Sequence, residues 1–245
     1  MKTIFKIIAT LIFVAMTVPS VSQDKPACDT LNTPAGVVEM YFIGHGSLMF
    51  KLNNFIIYND PVKTFGNYDI LPKADLILVT HEHYDHLDPS LIEKLRKIKT
   101  IMISNKKSAE KINWARVMKA GDKTRVEGID IEAVPAYNIV NMRAPGQPFH
   151  PKGDGNGYIL SFGGKRIYVA GDTENTPEMK ALRNIEVAFL PMNLPYTMTP
   201  AMVTDAALAF KPKILYPYHY GDTNTDELLN LMKNSGIEVR IRQLK

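Results

Sequence analysis

Six consecutive residues, His81-Glu82-His83-Tyr84-Asp85-His86, constrain this 245-residue chain more than any other feature. They follow directly on residues 76–80, a continuous apolar run of the kind that forms a buried strand. A strand end followed by a tight loop can fan several side chains toward one point. Imidazole and carboxylate together suit zinc, and the same set accepts manganese or iron. One ion cannot readily take all four donors, so three further protein ligands would complete two adjacent sites. The spacing excludes a zincin helix, which needs a histidine four residues after the first, where this chain has Asp85.

The chain has six histidines. The other three lie where the residue pattern places strand ends or loops: His45 in Gly44-His45-Gly46-Ser47, His150 in Phe149-His150-Pro151-Lys152-Gly153, and His219 in Pro217-Tyr218-His219-Tyr220-Gly221. Asp172 of Ala170-Gly171-Asp172-Thr173 follows the apolar run 167–170, a position from which a carboxylate can bridge two cations. Taken in isolation, a Gly-Asp-Thr is better read as a helix N-cap or a turn.

Around these residues, short β-runs alternate with helical segments, punctuated by Gly, Pro and Asn. Residues 37–43, 47–52 and 55–58 read as a β-meander, and 89–97 as a helix capped by Asp88 with Leu91, Ile92, Leu95 and Ile98 on one face. Further strands are expected at 100–104, 116–119, 129–134, 157–162, 166–170, 187–191, 214–218 and 239–242. Helices are expected near 108–113, 177–182, 199–210 and 226–234. The turn at Gly163-Gly164 demands positive φ. Residues 137–156 show little periodicity and read as a long functional loop carrying Met142 and Arg143. No low-complexity linker divides residues 36–245, so one domain is expected, with two β-rich halves packed face to face and helices outside.

Residues 1–22 carry a basic start, an apolar run over 7–18 and small residues at Ser20 and Ser22, the pattern of a cleaved signal peptide with the cut after Ser22. The run is shorter than the roughly 20 residues a bilayer-spanning helix needs, which makes an uncleaved anchor the lesser reading and predicts no stable membrane insertion after cleavage. Residues 23–35 are expected to be an N-terminal extension. A lipid-modified Cys28 is the lesser reading for the only cysteine, because polar residues separate it from the apolar run. The expected location is periplasmic or secreted. Of 29 Lys and Arg, Lys2 and Lys6 fall in the removed segment, leaving an excess of two over the 25 acidic residues; with no basic block, nucleic acid is not an expected partner.

The order H-x-H-x-D-H, then His, then Gly-Asp after a strand, then His near the end of the chain resembles the metallo-β-lactamase-fold hydrolases over essentially all of residues 36–245. Gly44-His45-Gly46-Ser47, Pro135-Ala136-Tyr137-Asn138, His150-Pro151-Lys152-Gly153, Ala170-Gly171-Asp172-Thr173 and Pro217-Tyr218-His219-Tyr220-Gly221 look like the subgroup that includes the ascorbate-phosphate lactonases and the N-acyl-phosphatidylethanolamine phospholipase D enzymes. The resemblance implies an α/β fold, a four-layer αβ/βα sandwich of two mixed β-sheets with helices outside and the metal site at one edge. It implies that His81, His83 and His150 hold one metal and Asp85, His86 and His219 a second, with Asp172 bridging. Two Zn²⁺ per chain are expected, with Mn²⁺ or Fe as alternatives.

His45 has no standard ligand role in that superfamily. It is expected beside the ligands or at the pocket mouth, hydrogen-bonding a ligand carboxylate or the substrate, or else merely capping the first hairpin. Tyr137, Met142, Arg143 and Tyr196 are candidate substrate contacts, with half-buried core aromatics as the competing reading for the two tyrosines. The implied activity is attack of metal-activated water on an ester, lactone or phosphodiester of a small or lipid-derived molecule, Asp85 orienting the nucleophile. The alternatives are a non-catalytic metal- or ligand-binding member of the fold and an iron-dependent redox enzyme. Related di-iron reductases carry Glu where this chain has His83, and the only cysteine, Cys28, lies outside every motif, so antibiotic hydrolysis is a weak expectation. Contacts between copies often complete pockets in this fold, which is compatible with a homo-oligomer.

Overall fold

In the computed structural model, which describes residues 25–245, the first strand, β1 (Ala27–Thr33), lies inside the segment 23–35 expected to be an extension. It pairs antiparallel along β2 (Gly36–Gly44), from Ala27 opposite Phe42 to Thr33 opposite Gly36. Only Leu31 of its seven residues is buried. The ladder rather than a hydrophobic face therefore defines this edge strand, and no periodicity announces it in the sequence. The expected signal peptide, residues 1–22, lies outside the described residues. No helix among the described residues is long and apolar enough to cross a membrane.

Strands β3 (Ser47–Leu52) and β4 (Phe55–Asn59) complete the expected meander, and β5 (Leu76–Val79), β6 (Ile101–Ser104) and β7 (Arg116–Val117) extend the sheet in parallel. Side-chain alternation shows why this sheet needs cover on both faces. On β5, Leu76 and Leu78 enter one core while Ile77 and Val79 enter another; on β4, Ile57 enters the first and Ile56 and Tyr58 the second. The second core is closed by α1 (Pro89–Leu95), through Leu91, Ile92 and Leu95, and by Ile112 just after α2 (Lys106–Lys111). Asp88 caps α1 as expected, its side chain accepting from the Leu91 N–H at 3.1 Å. The helix stops at Leu95 because Arg96 turns extended (φ −65°, ψ 140°), which leaves Ile98 fully exposed rather than on the buried face.

The second sheet repeats the plan. β8 (Lys123–Val126), β9 (Ile129–Ala136), β12 (Gly155–Phe162) and β13 (Lys165–Val169) are antiparallel neighbours; β14 (Ile185–Pro191), β15 (Ile214–Tyr218) and β16 (Glu238–Val239) continue in parallel. Between β9 and β12 the expected loop carries a small ribbon of β10 (Met142–Ala144) and β11 (Gln147–Pro148). Gly163 and Gly164 take φ of 58° and 90°, as their turn requires. Helices α3 (Pro177–Lys180), α4 (Pro200–Phe210) and α5 (Thr225–Met232) bury Met179, Val203, Phe210, Leu228 and Met232 in the core that also receives Val38, Met40 and Phe42 from β2. Two mixed sheets thus pack face to face with helices outside. A one-residue slip in any central strand would exchange the contents of two cores, each buried Leu or Ile contributing about 1.5–3 kcal/mol.

Candidate metal centre

Six of the seven expected ligands follow strands that have a parallel neighbour, at the edge where open α/β sheets bind ligands. Residues 81–86 follow β5, Asp172 follows β13, His219 follows β15, and His150 lies between β11 and β12. Gly171 makes the Asp172 position: its φ is +68°, and a Cβ there would stand 2.7 Å from the Asn156 carbonyl oxygen. Three non-glycine residues around the centre, His45, Asp60 and His219, also take left-handed backbone with φ of 53°, 44° and 47°. Such residues cost about 1–3 kcal/mol each and concentrate at functional sites.

The donor atoms form two sets with Asp172 between them. His81, His83 and His150 form one; Asp85, His86 and His219, joined by His45, form the other. Asp172 Oδ2 lies 3.3 Å from His150 Nε2 and 3.5 Å from His219 Nε2, and its Oδ1 lies 3.4 Å from His86 Nε2. Asp85 Oδ2 stands 3.6 Å from His219 Nε2 and 3.9 Å from His86 Nε2. Donors bound at about 2.0–2.2 Å to a shared ion are separated by similar distances. His86 Nε2, Asp172 Oδ1 and both ring nitrogens of His219 are buried with no hydrogen-bond partner among the described residues. Buried polar atoms are rarely left so, and cations at the centre would satisfy His86 Nε2, Asp172 Oδ1 and His219 Nε2, with His219 Nδ1 left as it is. The residues present therefore fit a pair of metal ions.

The outer hydrogen bonds explain why these lone pairs face inward. His86 Nδ1 donates to Asp60 Oδ2 at 2.9 Å. Thr80 Oγ1 donates to the same oxygen at 2.7 Å and so receives its own bond from His81 Nδ1 at 3.0 Å. His150 Nδ1 donates to Asn138 Oδ1 at 2.7 Å. Each outer partner fixes the tautomer that leaves Nε2 unprotonated toward the centre. Asn138 is itself held by Glu174, whose carboxylate also accepts from the backbone N–H groups of Ile139, Val140 and Asn141 at 2.7–2.8 Å. This one fully buried carboxylate ties down the loop that carries His150.

Charge states agree with the wiring at His81, His150 and the two carboxylates. Burial, aided by the neighbouring imidazoles, drives His81 well below its ordinary range and lowers His150 to about 4. Burial also works against ionising Asp172, yet His219, His86 and His81 hold it well below the carboxylate range; Asp85 is likewise lowered by His219 and His45. His86 alone is pushed up against its burial, by Asp172 and Asp60 on either side. Ionised carboxylates and neutral imidazoles at His81 and His150 are the forms that metal coordination requires.

The first set opens into a cavity of about 480 Å³ walled by His81, His83, His150, Arg143, Phe149 and Lys107 among others. Lys107 is engaged by Asp154 at 2.6 Å and Glu82 at 3.5 Å, whereas Arg143 has no ion pair among the described residues and lies over the Phe149 ring, 5.8 Å from its centroid. Tyr137, a candidate substrate contact, does not line this cavity. Its ring is buried and its hydroxyl donates to Glu178 at 2.8 Å, outside the cavity wall. Tyr196 stands behind the wall, edge-on to Phe149 at 5.1 Å, with its carbonyl accepting from Asn138. Met142 is exposed on the ribbon next to Arg143. Asp60, Asn138 and Glu174 were not among the sequence candidates; the Asn59-Asp60-Pro61 turn after β4 is the one local sign that Asp60 left.

Residues 39–219 match the family model of the β-lactamase superfamily domain, and the chain belongs to that family. Its fold is the metallo-β-lactamase fold. The metallo-β-lactamase fold protein YhfI of Bacillus subtilis aligns with a TM-score of 0.65 over 81% of this chain and 88% of its own at 12% identity, a likeness of fold alone. A Parabacteroides distasonis protein assigned as a metal-dependent hydrolase superposes with a TM-score of 0.86 at 49% identity, covering 90% of this chain and all of that one. A metal-dependent hydrolase of Thermus thermophilus is 32% identical over 197 residues, 75% of this chain and 84% of that protein.

Proposed function

We propose that the chain is an exported metal-dependent hydrolase with a dinuclear, zinc-type centre that cleaves an ester, lactone or phosphodiester bond of a small or lipid-derived substrate. The observation that carries this reading is the convergence of six donors into two sets on either side of a seventh, the Asp172 carboxylate. Cations bound there supply Lewis acidity and a water acidified to near neutral pH. His81, His83 and His150 would hold one ion, Asp85, His86 and His219 the other, and Asp172 both; manganese or iron suits the same donors.

The rest of the work falls to the chain's own groups. Asp85 is the more open of the two carboxylates, its side chain 22% exposed against 4% for Asp172. It can therefore accept a hydrogen bond from a proton-bearing group at the second set and orient it. Arg143 offers an unpaired guanidinium at the rim for an anionic part of a substrate, and Phe149 an apolar wall beneath it. Export rests on the signal-like residues 1–22. The metal-loaded chain is expected to turn over members of a panel of chromogenic esters, lactones and phosphodiesters, to lose that activity to a chelator, and to lose it at least about a hundredfold in Asp85→Ala with the fold kept by circular dichroism. Turnover that survives chelation, or survives Asp85→Ala, contradicts the reading.

A further inference from the structure

His45 lies between Gly44 and Gly46 in the turn joining β2 and β3, and nothing in the superfamily pattern gives it a ligand's role. The structure builds an unusual amount around it. Its backbone is held left-handed at φ 53°, its ring stacks on Phe65 with centroids 4.4 Å apart at 14°, and its centroid is 3.7 Å from that of His219. The turn is pressed onto the centre: a Cβ on Gly46 would stand 3.0 Å from His86 Cε1.

Its two nitrogens face different partners. Nδ1 is 3.2 Å from the backbone carbonyl oxygen of Lys245, and Nε2 is 3.2 Å from Asp85 Oδ2. Both partners are acceptors, an ionised carboxylate having no more proton to give than a main-chain oxygen, so the single N–H of a neutral ring can serve only one of them; we take it on Nδ1, the outer side, as in the other ligand imidazoles. Nε2 then turns a lone pair toward a carboxylate oxygen, two acceptors at close range with no proton between them. This is the wiring of His81, His86 and His150: an outer acceptor on Nδ1 and a bare Nε2 toward the donor set. His45 Nε2 also falls in the same compact group of candidate donors as Asp85, His86 and His219.

We propose that His45 is a metal ligand of this protein, its Nε2 joining Asp85, His86, His219 and the shared Asp172 around the second cation. The proposal rests on the dinuclear reading above. It makes the second position richer in protein donors than the first, and so better matched to a five- or six-coordinate ion than to a closed tetrahedron.

Cobalt(II) loaded to two ions per chain tests it without any substrate. Each imidazole bound through Nε2 keeps an Nδ1–H whose proton resonance is shifted by the paramagnetic ion. His45→Gln is expected to delete one such exchangeable resonance while the others persist, and to weaken the second ion by about tenfold or more. An unchanged set of shifted resonances would show that His45 is instead a charged donor to Asp85, and overturns the proposal alone. A parent chain that takes up fewer than two cobalt ions sinks the dinuclear reading and the proposal together. Should His45→Gln fail to fold, anomalous diffraction from the zinc-loaded parent decides: an ion about 2.0–2.1 Å from His45 Nε2 supports ligation, and one beyond 3 Å refutes it.

Discussion

An Asp172→Ala chain is expected to hold no more than one tightly bound cation where the parent holds two, and to lose more than about a hundredfold in hydrolytic rate. The reason lies in position rather than charge alone. Asp172 is the group within 3.3–3.5 Å of a histidine from each set, His150 on one side and His86 and His219 on the other. Removing it leaves those nitrogens without a shared counter-charge in a buried space, and two divalent ions with only the Asp85 carboxylate to offset them repel one another. Replacing outer-shell partners of metal sites costs about 10–100-fold in affinity or activity, so a bridging ligand should exceed that range. Asp172→Asn should recover the shape without the charge. Metal content by elemental analysis after gel filtration, with turnover on the same samples, reads the effect; two ions retained in Asp172→Ala would mean that the carboxylate does not bridge.

The second large effect is on stability. Asp60 is fully buried and accepts three bonds: from the Thr80 N–H at 2.7 Å, from Thr80 Oγ1 at 2.7 Å and from His86 Nδ1 at 2.9 Å. In Asp60→Ala all three donors lose their acceptor in a space too enclosed for easy hydration, and His86 loses the carboxylate that raises it. Breaking a buried, hydrogen-bonded charge pair costs about 3–5 kcal/mol. The metal-free Asp60→Ala chain should show that loss in urea unfolding, and the loaded chain should bind its second ion more weakly because His86 is no longer oriented. Asp60→Asn should fall between, since an amide oxygen still accepts from Thr80 but its NH₂ cannot accept from His86. A loss under about 1 kcal/mol in Asp60→Ala would mean that water replaces the carboxylate.

What the sequence reveals and what it hides divide along physical lines. The 81–86 motif is legible because a strand and its following loop place four donors together by local geometry, and β5 shows its burial as an unbroken apolar run. Asp172 and His219 are legible because each follows a similar run. Asp60, Asn138 and Glu174 act through hydrogen bonds that cross 20 to 36 positions of chain, to Thr80 and His86 in one case and between residues 138–141 and 174 in the other. No periodicity records such pairings, and a buried carboxylate looks in sequence like any turn residue. The two missed edge strands have the same explanation: β1 buries only Leu31 and β8 only Val126. The direction of the Tyr137 hydroxyl, which turns to Glu178, is likewise hidden, because it is set by a partner 41 positions away. Ile98 continues a helical spacing that the backbone abandons at Arg96.

Two cations held by one carboxylate and two donor sets are what the site's geometry calls for. The most direct test is elemental analysis of residues 23–245, purified without chelator and exchanged into metal-free buffer. About two ions of zinc, or of manganese or iron, per chain is the result the geometry predicts. Less than about one tightly held ion would contradict it, and would leave the inward-facing lone pairs of His86, His219 and Asp172 in need of another explanation.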